Sequence, residues 1–218
     1  PAPSLGGDLA AAIHSYDPRS RGARCDVCPL GPNGALRVAM QGDKAEPWRP
    51  VPPEIHPRRG TNAPDHAPVA LLGQMPGEDE AREGYPVAGK AGVELTRSLS
   101  DAGTKRTDVD LHNVISCKPP GQAGGAWQRM EAILRRLNDG REDPLPHPAA
   151  CCRPRLDAEL EPYATIVSLG GEAYKALTGD SRPVLSGHGE ILARETPTTR
   201  WVGYDPSTGA ALPPLRLV

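Results

Sequence analysis

The sequence contains no phenylalanine, and aromatic residues of all kinds make up only 4% of its 218 residues. It also lacks any apolar run that approaches the roughly 18 residues needed to cross a bilayer, which excludes a membrane span. No basic stretch followed by an apolar one is visible at the start of the chain, so we expect a cytoplasmic protein. The net charge of −2 excludes a uniformly basic nucleic-acid binder, and any such contact must come from a local patch.

Glycine and proline, by contrast, are abundant, with 24 and 26 residues. They are not spread evenly, because compact apolar runs such as Val69-Ala70-Leu71-Leu72 alternate with loop-rich stretches. At about 150 residues per domain, the length fits one domain. We therefore predict a single domain over residues 1–218, with Pro-rich insertions at about 31–68 and 119–150.

Apolar periodicity predicts strands that alternate with helices. Runs typical of buried strands occupy residues 69–72, 109–116, 165–169 and 215–218. Helical spacing or helix-start residues occur at 9–15, from 78 onward, and at 93–102, 127–138, 156–160 and 171–177. This alternation predicts an α/β sandwich with a mostly parallel sheet.

The five cysteines indicate metal ligation or catalysis rather than a disulfide framework, because no export signal accompanies them. Cys25 and Cys28 form a C-x-x-C pair, Cys117 follows a predicted strand, and Cys151 or Cys152 precedes a predicted helix. Four thiolates suit zinc or a [4Fe–4S] cluster equally well, and spacing does not choose between them. The alternative is that the cysteines are small buried apolar residues without a metal.

Motifs in a fixed order cover most of the chain outside the two insertions. They are Cys25-x-x-Cys28-Pro-Leu; the stretch from Val69 to Gly92, which reads VALLGQMPGEDEAREGYPVAGKAG; Asn113-Val-Ile-Ser-Cys-Lys-Pro-Pro120; and Cys152-Arg-Pro-Arg-Leu followed by Thr165-Ile-Val-Ser-Leu-Gly-Gly-Glu-Ala173. Together they resemble the motifs of the iron–sulfur (family 4 type) uracil-DNA glycosylases.

The resemblance implies a three-layer α/β/α sandwich with a central, mostly parallel four-stranded sheet. It implies a structural [4Fe–4S] cluster, with zinc as the alternative, on Cys25, Cys28, Cys117 and Cys152, and it leaves Cys151 spare. The partner is DNA, single-stranded or duplex, with one base flipped into a pocket. Asn113 would read the base, and the pocket would be formed with Gly73, Met75, Pro76, Gly77, Tyr85 and Val87.

Three departures from the family pattern bear on catalysis. The carboxylate position of the first motif is Gln74, whose amide can hold a water but cannot accept its proton. The stacking phenylalanine position is Val87, which widens the pocket, and Tyr85 is the only local aromatic side chain that could substitute. The family's final His-Pro-Ser loop is absent.

The missing loop suggests that the chain is the N-terminal part of a longer protein. The carboxylates nearest to Gln74 in sequence, those of residues 78–80, are expected to favour the start of a helix rather than to replace a catalytic base. His56 and His147 are expected in turns, and a nucleophilic role for His188 has little support.

Basic residues next to the cysteines define the expected DNA-binding surface. If the cysteines share one metal, these residues converge on its face of the protein, and they are Arg24, Lys118, Arg153 and Arg155, with Arg19 and Arg21 nearby. The alternative is that they are solvated charges that balance the thiolates.

Two functions follow, of different classes. The first is a base-excision glycosylase that hydrolyses the N-glycosidic bond of uracil or a modified pyrimidine. The second is a catalytically silent, cluster-bearing DNA-binding module of a larger replication or repair protein, for example one fused to a DNA polymerase. A third, weaker interpretation is an α/β scaffold that is stabilised by zinc and has no relation to DNA.

Overall fold

A three-stranded parallel sheet forms the centre of the computed structural model, which describes residues 16–42, 45–56, 65–121 and 125–179 and the backbone of 191–195 and 200–204. The strands β1 (Val69–Gly73), β2 (Asp110–Asn113) and β3 (Thr165–Ser168) stand in the order β2-β1-β3. A separate antiparallel pair comprises β4 (Ile191–Glu195) and β5 (Arg200–Tyr204). The predicted helix at 9–15 and the predicted strand at 215–218 lie outside the described residues.

Six α-helices accompany the strands in the described part of the chain. They are α1 (Ala35–Gln41), α2 (Glu78–Glu83), α3 (Gly89–Asp101), α4 (Ala126–Asn138), α5 (Pro148–Leu160) and α6 (Gly171–Thr178), with 3-10 turns at Pro18–Arg21 and Arg106–Asp108. None of the helices that the structure describes is long and apolar enough to cross a membrane.

The two faces of the sheet carry apolar cores of different size, because alternate strand residues point to opposite faces. Ala70 and Leu72 face the main core, to which α1, α4, α5 and α6 all contribute. Leu71 and Leu111 face a small core that is closed by two leucines of α3. Helices therefore cover both faces of a parallel sheet, and the predicted α/β class is confirmed.

The predicted insertion at 31–68 contributes to the fold itself. Leu36 and Met40 of α1 are buried in the main core. The segment 50–56 runs antiparallel to β2 along its outer edge, where the Glu54 and Leu111 amides each donate to the other's carbonyl at 2.9 Å. This segment therefore closes the edge of β2 that β1 does not cover.

Three predicted boundaries differ from the structure by three residues or more. The helix predicted at 93–102 already begins at Gly89. The second strand ends at Asn113 rather than at 116, because β1 ends at Gly73 and offers no regular partner beyond it. The helix predicted at 156–160 begins at Pro148, with the His147 side chain accepting a hydrogen bond from the Ala149 amide. Cys151 and Cys152 thus lie inside the helix rather than before it.

Candidate functional site

Asn113 and Gly73 meet at the carboxyl ends of β2 and β1, where they are paired in register. Asn113 is 6% exposed, and a Cβ atom built on Gly73 would lie 2.6 Å from Asn113 Oδ1, so any larger residue there would displace the Asn113 amide. Asn113 Nδ2 is buried and has no hydrogen-bond partner among the described residues. The junction therefore presents an amide whose donor remains available.

The turn after β1 is held against the segment that follows β2. The Val114 amide donates to the Gly73 carbonyl at 2.9 Å, and the Ile115 amide donates to the Gln74 carbonyl at 3.1 Å. Met75 packs on the main core, and Pro76 is buried. The structure thus brings the turn residues of the expected pocket close to Asn113.

The carboxylates of α2 all have protein partners. Glu80 caps the Gly77 amide at 2.9 Å, Asp79 pairs with Arg82 at 2.6 Å, and Glu78 pairs with Lys118 at 2.8 Å. The contacts of Asp79 and Glu80 agree with a role in helix formation, which is the role that the sequence favours, whereas Glu78 joins α2 to the segment after β2.

Tyr85 and Val87 lie apart from this junction and line a cavity of about 790 Å³, which neither Gln74 nor Asn113 lines. Val87 has a φ of 53°, a left-handed conformation that is unusual for a β-branched residue. Its carbonyl accepts from Arg106 at 3.1 Å, and the Pro86 carbonyl accepts from the same guanidinium at 2.7 Å. Arg106 also lies 5.4 Å from the centre of the Tyr85 ring and pairs with Glu54 at 2.6 Å.

All five cysteines are buried and free of disulfides. Burial, reinforced by the nearby Cys152 sulfur, raises the pKa of Cys25 to about 11 and that of Cys117 to about 12. A hydrogen bond with Cys151, together with burial, raises the pKa of Cys28. The five thiols are therefore electrostatic neighbours. Within the described residues, however, no three Cys, His, Asp or Glu side chains already form a metal-holding group.

Trp48, in the segment between α1 and the sheet edge, reaches the same cluster of thiols. Its indole Nε1 donates to Cys117 Sγ at 3.2 Å. The Arg19 guanidinium lies 5.8 Å from the centre of its ring. A donor aimed at a sulfur stabilises a thiolate more than a thiol.

The structure corrects the predicted DNA-binding set at Arg155. This side chain is 1% exposed and bonds to Glu159, to the Asn113 carbonyl and to the Val114 carbonyl, so it is not available to DNA. Lys118 is held by Glu46 and Glu78, and Arg153 by Asp157 and the Ala176 carbonyl. Arg24 is exposed, with one long contact of 3.4 Å to the Ala150 carbonyl.

A chain of buried polar groups, which sequence reasoning missed, runs beside β2. Tyr163 donates to Asp110 at 2.6 Å and meets His112 Nε2 at 3.2 Å, and His112 Nδ1 faces Glu159 at 3.4 Å. Tyr16 donates to Glu159 at 3.0 Å. Burial raises the pKa of both tyrosines. The sequence signal is Asp110 and His112 at alternate positions of β2, which places both side chains on the same face of the sheet.

Arg106, Glu54 and Trp48 were also missed, because their contacts join residues more than fifty positions apart. His56 contacts the Val109 carbonyl at 2.9 Å, and His147 lies at the start of α5. His188 lies outside the described residues.

Comparison with known proteins gives one family. Residues 60–213 match the model of the uracil DNA glycosylase superfamily. The type-4 uracil-DNA glycosylase of Thermotoga maritima is 32% identical over 107 residues, which cover 48% of this chain and 46% of that protein. That of Sulfurisphaera tokodaii is 30% identical over 128 residues, with 57% and 46% covered. That of Saccharolobus solfataricus is 42% identical over 82 residues, with 37% and 38% covered.

Each of these matches spans less than half the length of the relative. The family model, in contrast, covers well over half of this chain, including the junction of Gly73 and Asn113 and three of the five cysteines. The chain belongs to the uracil-DNA glycosylase superfamily and is similar to its type-4 members.

Proposed function

We propose that this protein is a base-excision glycosylase that binds DNA and hydrolyses the N-glycosidic bond of uracil or a modified pyrimidine. The observation that carries the proposal is the buried Asn113 amide, whose Nδ2 has no partner among the described residues. An unpaired buried donor costs about 1–3 kcal/mol, so a ligand acceptor at this point would recover a hydrogen bond. The names of the type-4 relatives support the same activity.

In this proposal Asn113 offers the base both a donor and an acceptor, the pattern that a pyrimidine edge requires. Its Oδ1 packs against Gly73, which fixes the direction of the amide. Gln74, on the adjacent turn, holds a water molecule but cannot take its proton. Loss of a general base typically costs roughly 10²- to 10⁴-fold in rate, so we expect slow chemistry.

The side chain at position 87 bears on the size of the base. Valine in place of a stacking phenylalanine leaves room, although the cavity that Val87 lines in this structure does not include Asn113. We therefore include modified pyrimidines among the substrates.

The alternative is a catalytically silent DNA-binding module. Two observations favour it: the amide at position 74, and the three carboxylates in the first turn of α2, which all have protein partners. A carboxylate occupied by an arginine or a lysine is a poor base, because the ion pair stabilises its deprotonated form.

We also propose a structural [4Fe–4S] cluster on Cys25, Cys28, Cys117 and Cys152. Two observations support it: the four thiols are buried, and the Cys152 sulfur contributes to the raised pKa of each of the other three. The cluster would link the N-terminal loop, the segment after β2 and the N-terminal half of α5. Zinc fits the same four thiolates and is the alternative.

Two substitutions test the ligand assignment. Cys152→Ala should lose the metal and much of the soluble protein, because thiolate ligation is coupled to folding, whereas the adjacent Cys151→Ala should keep both. Iron-loaded protein should be brown, with broad absorption at about 400 nm. If both substitutions lower the metal content and the soluble yield equally, the ligand assignment is wrong. If the protein is colourless and contains stoichiometric zinc, it does not hold an iron–sulfur cluster.

DNA contacts are proposed for Arg24 and, more weakly, for Lys118 and Arg153, which already have carboxylate partners. Affinity carried by such contacts falls steeply with salt, because bound counterions are released from DNA. Binding that does not depend on salt counts against this surface.

The test of the glycosylase proposal is a cleavage assay on single-stranded and duplex oligonucleotides that each carry one uracil. It compares metal-loaded wild type with Gln74→Glu and Asn113→Ala. Uracil release by wild type, lost in Asn113→Ala, supports the proposal. Activity only in Gln74→Glu means that the pocket recognises uracil but that the wild-type protein lacks the carboxylate needed for hydrolysis. No activity in any protein that still binds DNA favours the silent module.

A further inference from the structure

The Arg155 side chain points into the protein and contacts the backbone at the base-reading position. Its Nη2 donates to the Asn113 carbonyl at 2.6 Å and to the Val114 carbonyl at 3.0 Å. It is 1% exposed, and it does not line the cavity that lies beside α5. The guanidinium therefore makes its contacts inside the protein and not with solvent or a surface ligand.

The two carbonyls lie where β2 leaves the sheet. Asn113 is the last residue of the strand, and the next two amides bond back to the turn after β1. The amides thus fix one side of these peptide groups, and Arg155 fixes the other. Together these bonds leave the backbone of Asn113 little freedom to rotate, and the direction of its side chain follows from its backbone.

The guanidinium is itself held by buried groups. Glu159 Oε2 accepts from Arg155 Nη1 at 2.5 Å, four residues along α5. Tyr16 and His112 contact the same carboxylate at 3.0 Å and 3.4 Å. Since both charged side chains are buried and hydrogen-bonded, the pair is anchored at each end rather than free to reorient.

A buried ion pair is weak support for stability, because apolar side chains of similar volume often do as well or better. Its position against two successive carbonyls indicates a geometric role. We infer that Arg155, oriented by Glu159, is a positioning residue that fixes the Asn113 amide for recognition of the base. The inference rests on the proposed role of Asn113 in reading the base.

The test is a double-mutant cycle on base discrimination in the full, metal-loaded chain. Discrimination is the dissociation constant for a single-stranded oligonucleotide that carries one 2′-fluorinated cytosine nucleotide, divided by that for one that carries a 2′-fluorinated uracil nucleotide, which resists hydrolysis. Cytosine is as small as uracil but presents an amino donor where uracil presents a carbonyl acceptor, so the ratio reports on the hydrogen bonds of the Asn113 amide. The proteins are wild type, Asn113→Ala, Arg155→Met with Glu159→Gln, and the combination of all three substitutions. Removing both charges avoids leaving one unpaired in the interior.

We expect Asn113→Ala to lower the ratio roughly tenfold, the effect of about 1.4 kcal/mol for one buried hydrogen bond. The double substitution should lower it several-fold, and adding it to Asn113→Ala should lower it no further, because both act through the same amide. Arg135→Met, on the exposed face of α4, is the matched control and should leave the ratio unchanged.

Arg155→Lys keeps a positive charge beside Glu159 but loses the planar fork, and it serves if the double substitution does not fold. It should lower the ratio without lowering the affinity for the cytosine oligonucleotide. The positioning role is overturned if the reductions in the ratio multiply in the combined variant. It is also overturned if the affinities for the two oligonucleotides fall equally. If Asn113→Ala leaves the ratio unchanged, the base-reading proposal itself fails, and the role of Arg155 in it falls too.

Discussion

Two segments of the site are each held by an arginine, and the surroundings of the two arginines differ. Arg155 contacts the carbonyls of Asn113 and Val114 from the interior, and its partner Glu159 is buried. Arg106 contacts the carbonyls of Pro86 and Val87 from the side of an open cavity. Its partner Glu54 is 19% exposed.

The two segments also differ in burial. The segment that begins at Asn113, the last residue of β2, is buried throughout as far as Cys117. The segment with Tyr85 and Val87 is half-buried and includes a residue in a left-handed conformation. Buried contacts thus fix the backbone of Asn113, whereas the segment with Tyr85 and Val87 borders an open cavity.

The largest expected effect comes from removing the acidic partner of each arginine. Glu159→Ala leaves the Arg155 charge buried and unpaired, and we expect a loss of about 3–5 kcal/mol in the free energy of unfolding. Glu54→Ala leaves Arg106 near solvent, and we expect about 1 kcal/mol. Urea denaturation of both variants measures the contrast, and losses of similar size would remove the distinction between the two segments.

A smaller effect is expected at Gly92 in α3. A Cβ atom there would overlap the Val87 carbonyl oxygen, an atom of the backbone that cannot move aside cheaply. Gly92→Ala should therefore cost about 2 kcal/mol by overpacking. Ser98→Ala, on the exposed side of the same helix, should change stability by less than about 0.5 kcal/mol. If Gly92→Ala is as stable as the wild type in the same urea titration, the backbone at Val87 moves aside more easily than its geometry indicates.

The smallest expected effect is on the acid limb of stability. Burial alone would raise the pKa of Glu159, but the hydrogen bond from His112 and the charge of Arg155 outweigh it and hold the pKa below its ordinary value. Such a group stabilises the protein above its unfolded pKa of about 4.3, and the contribution is lost as pH falls through the folded pKa. Glu159→Gln should therefore flatten the loss of stability below about pH 4.5. An unchanged acid limb would assign that loss to other carboxylates.

Sequence periodicity predicted the elements that bury a continuous or regularly spaced apolar set. The strand at Leu71 and Leu72 and the helix with Trp127 and Met130 were both recognised in this way. Helix α1 was not, because its seven residues bury only Leu36, Met40 and the side chain of Arg37. Helix α5 was only partly recognised, because Pro154 and the preceding prolines conceal its first two turns.

The expected site residues divide in a similar way. Gly73, Gln74 and Asn113 adjoin because parallel strands end at one edge of a sheet, which a sequence can predict. The inward turn of Arg155 could not be predicted, since a basic residue beside a cysteine suits a surface patch equally well. The pairing of Arg106 with Glu54 joins residues 52 positions apart, and no local pattern encodes it.

The antiparallel pairing of 50–56 with β2 has a consequence for solubility. A parallel sheet presents unpaired amides and carbonyls on its outermost strand, and such a row can recruit a strand from another molecule. Here the chain closes its own edge with a segment that contains prolines at 50, 52 and 53, which offer no amide to a further strand. The segment 50–56 thus protects the β2 edge from pairing with another molecule, and deleting this segment would expose that edge to association.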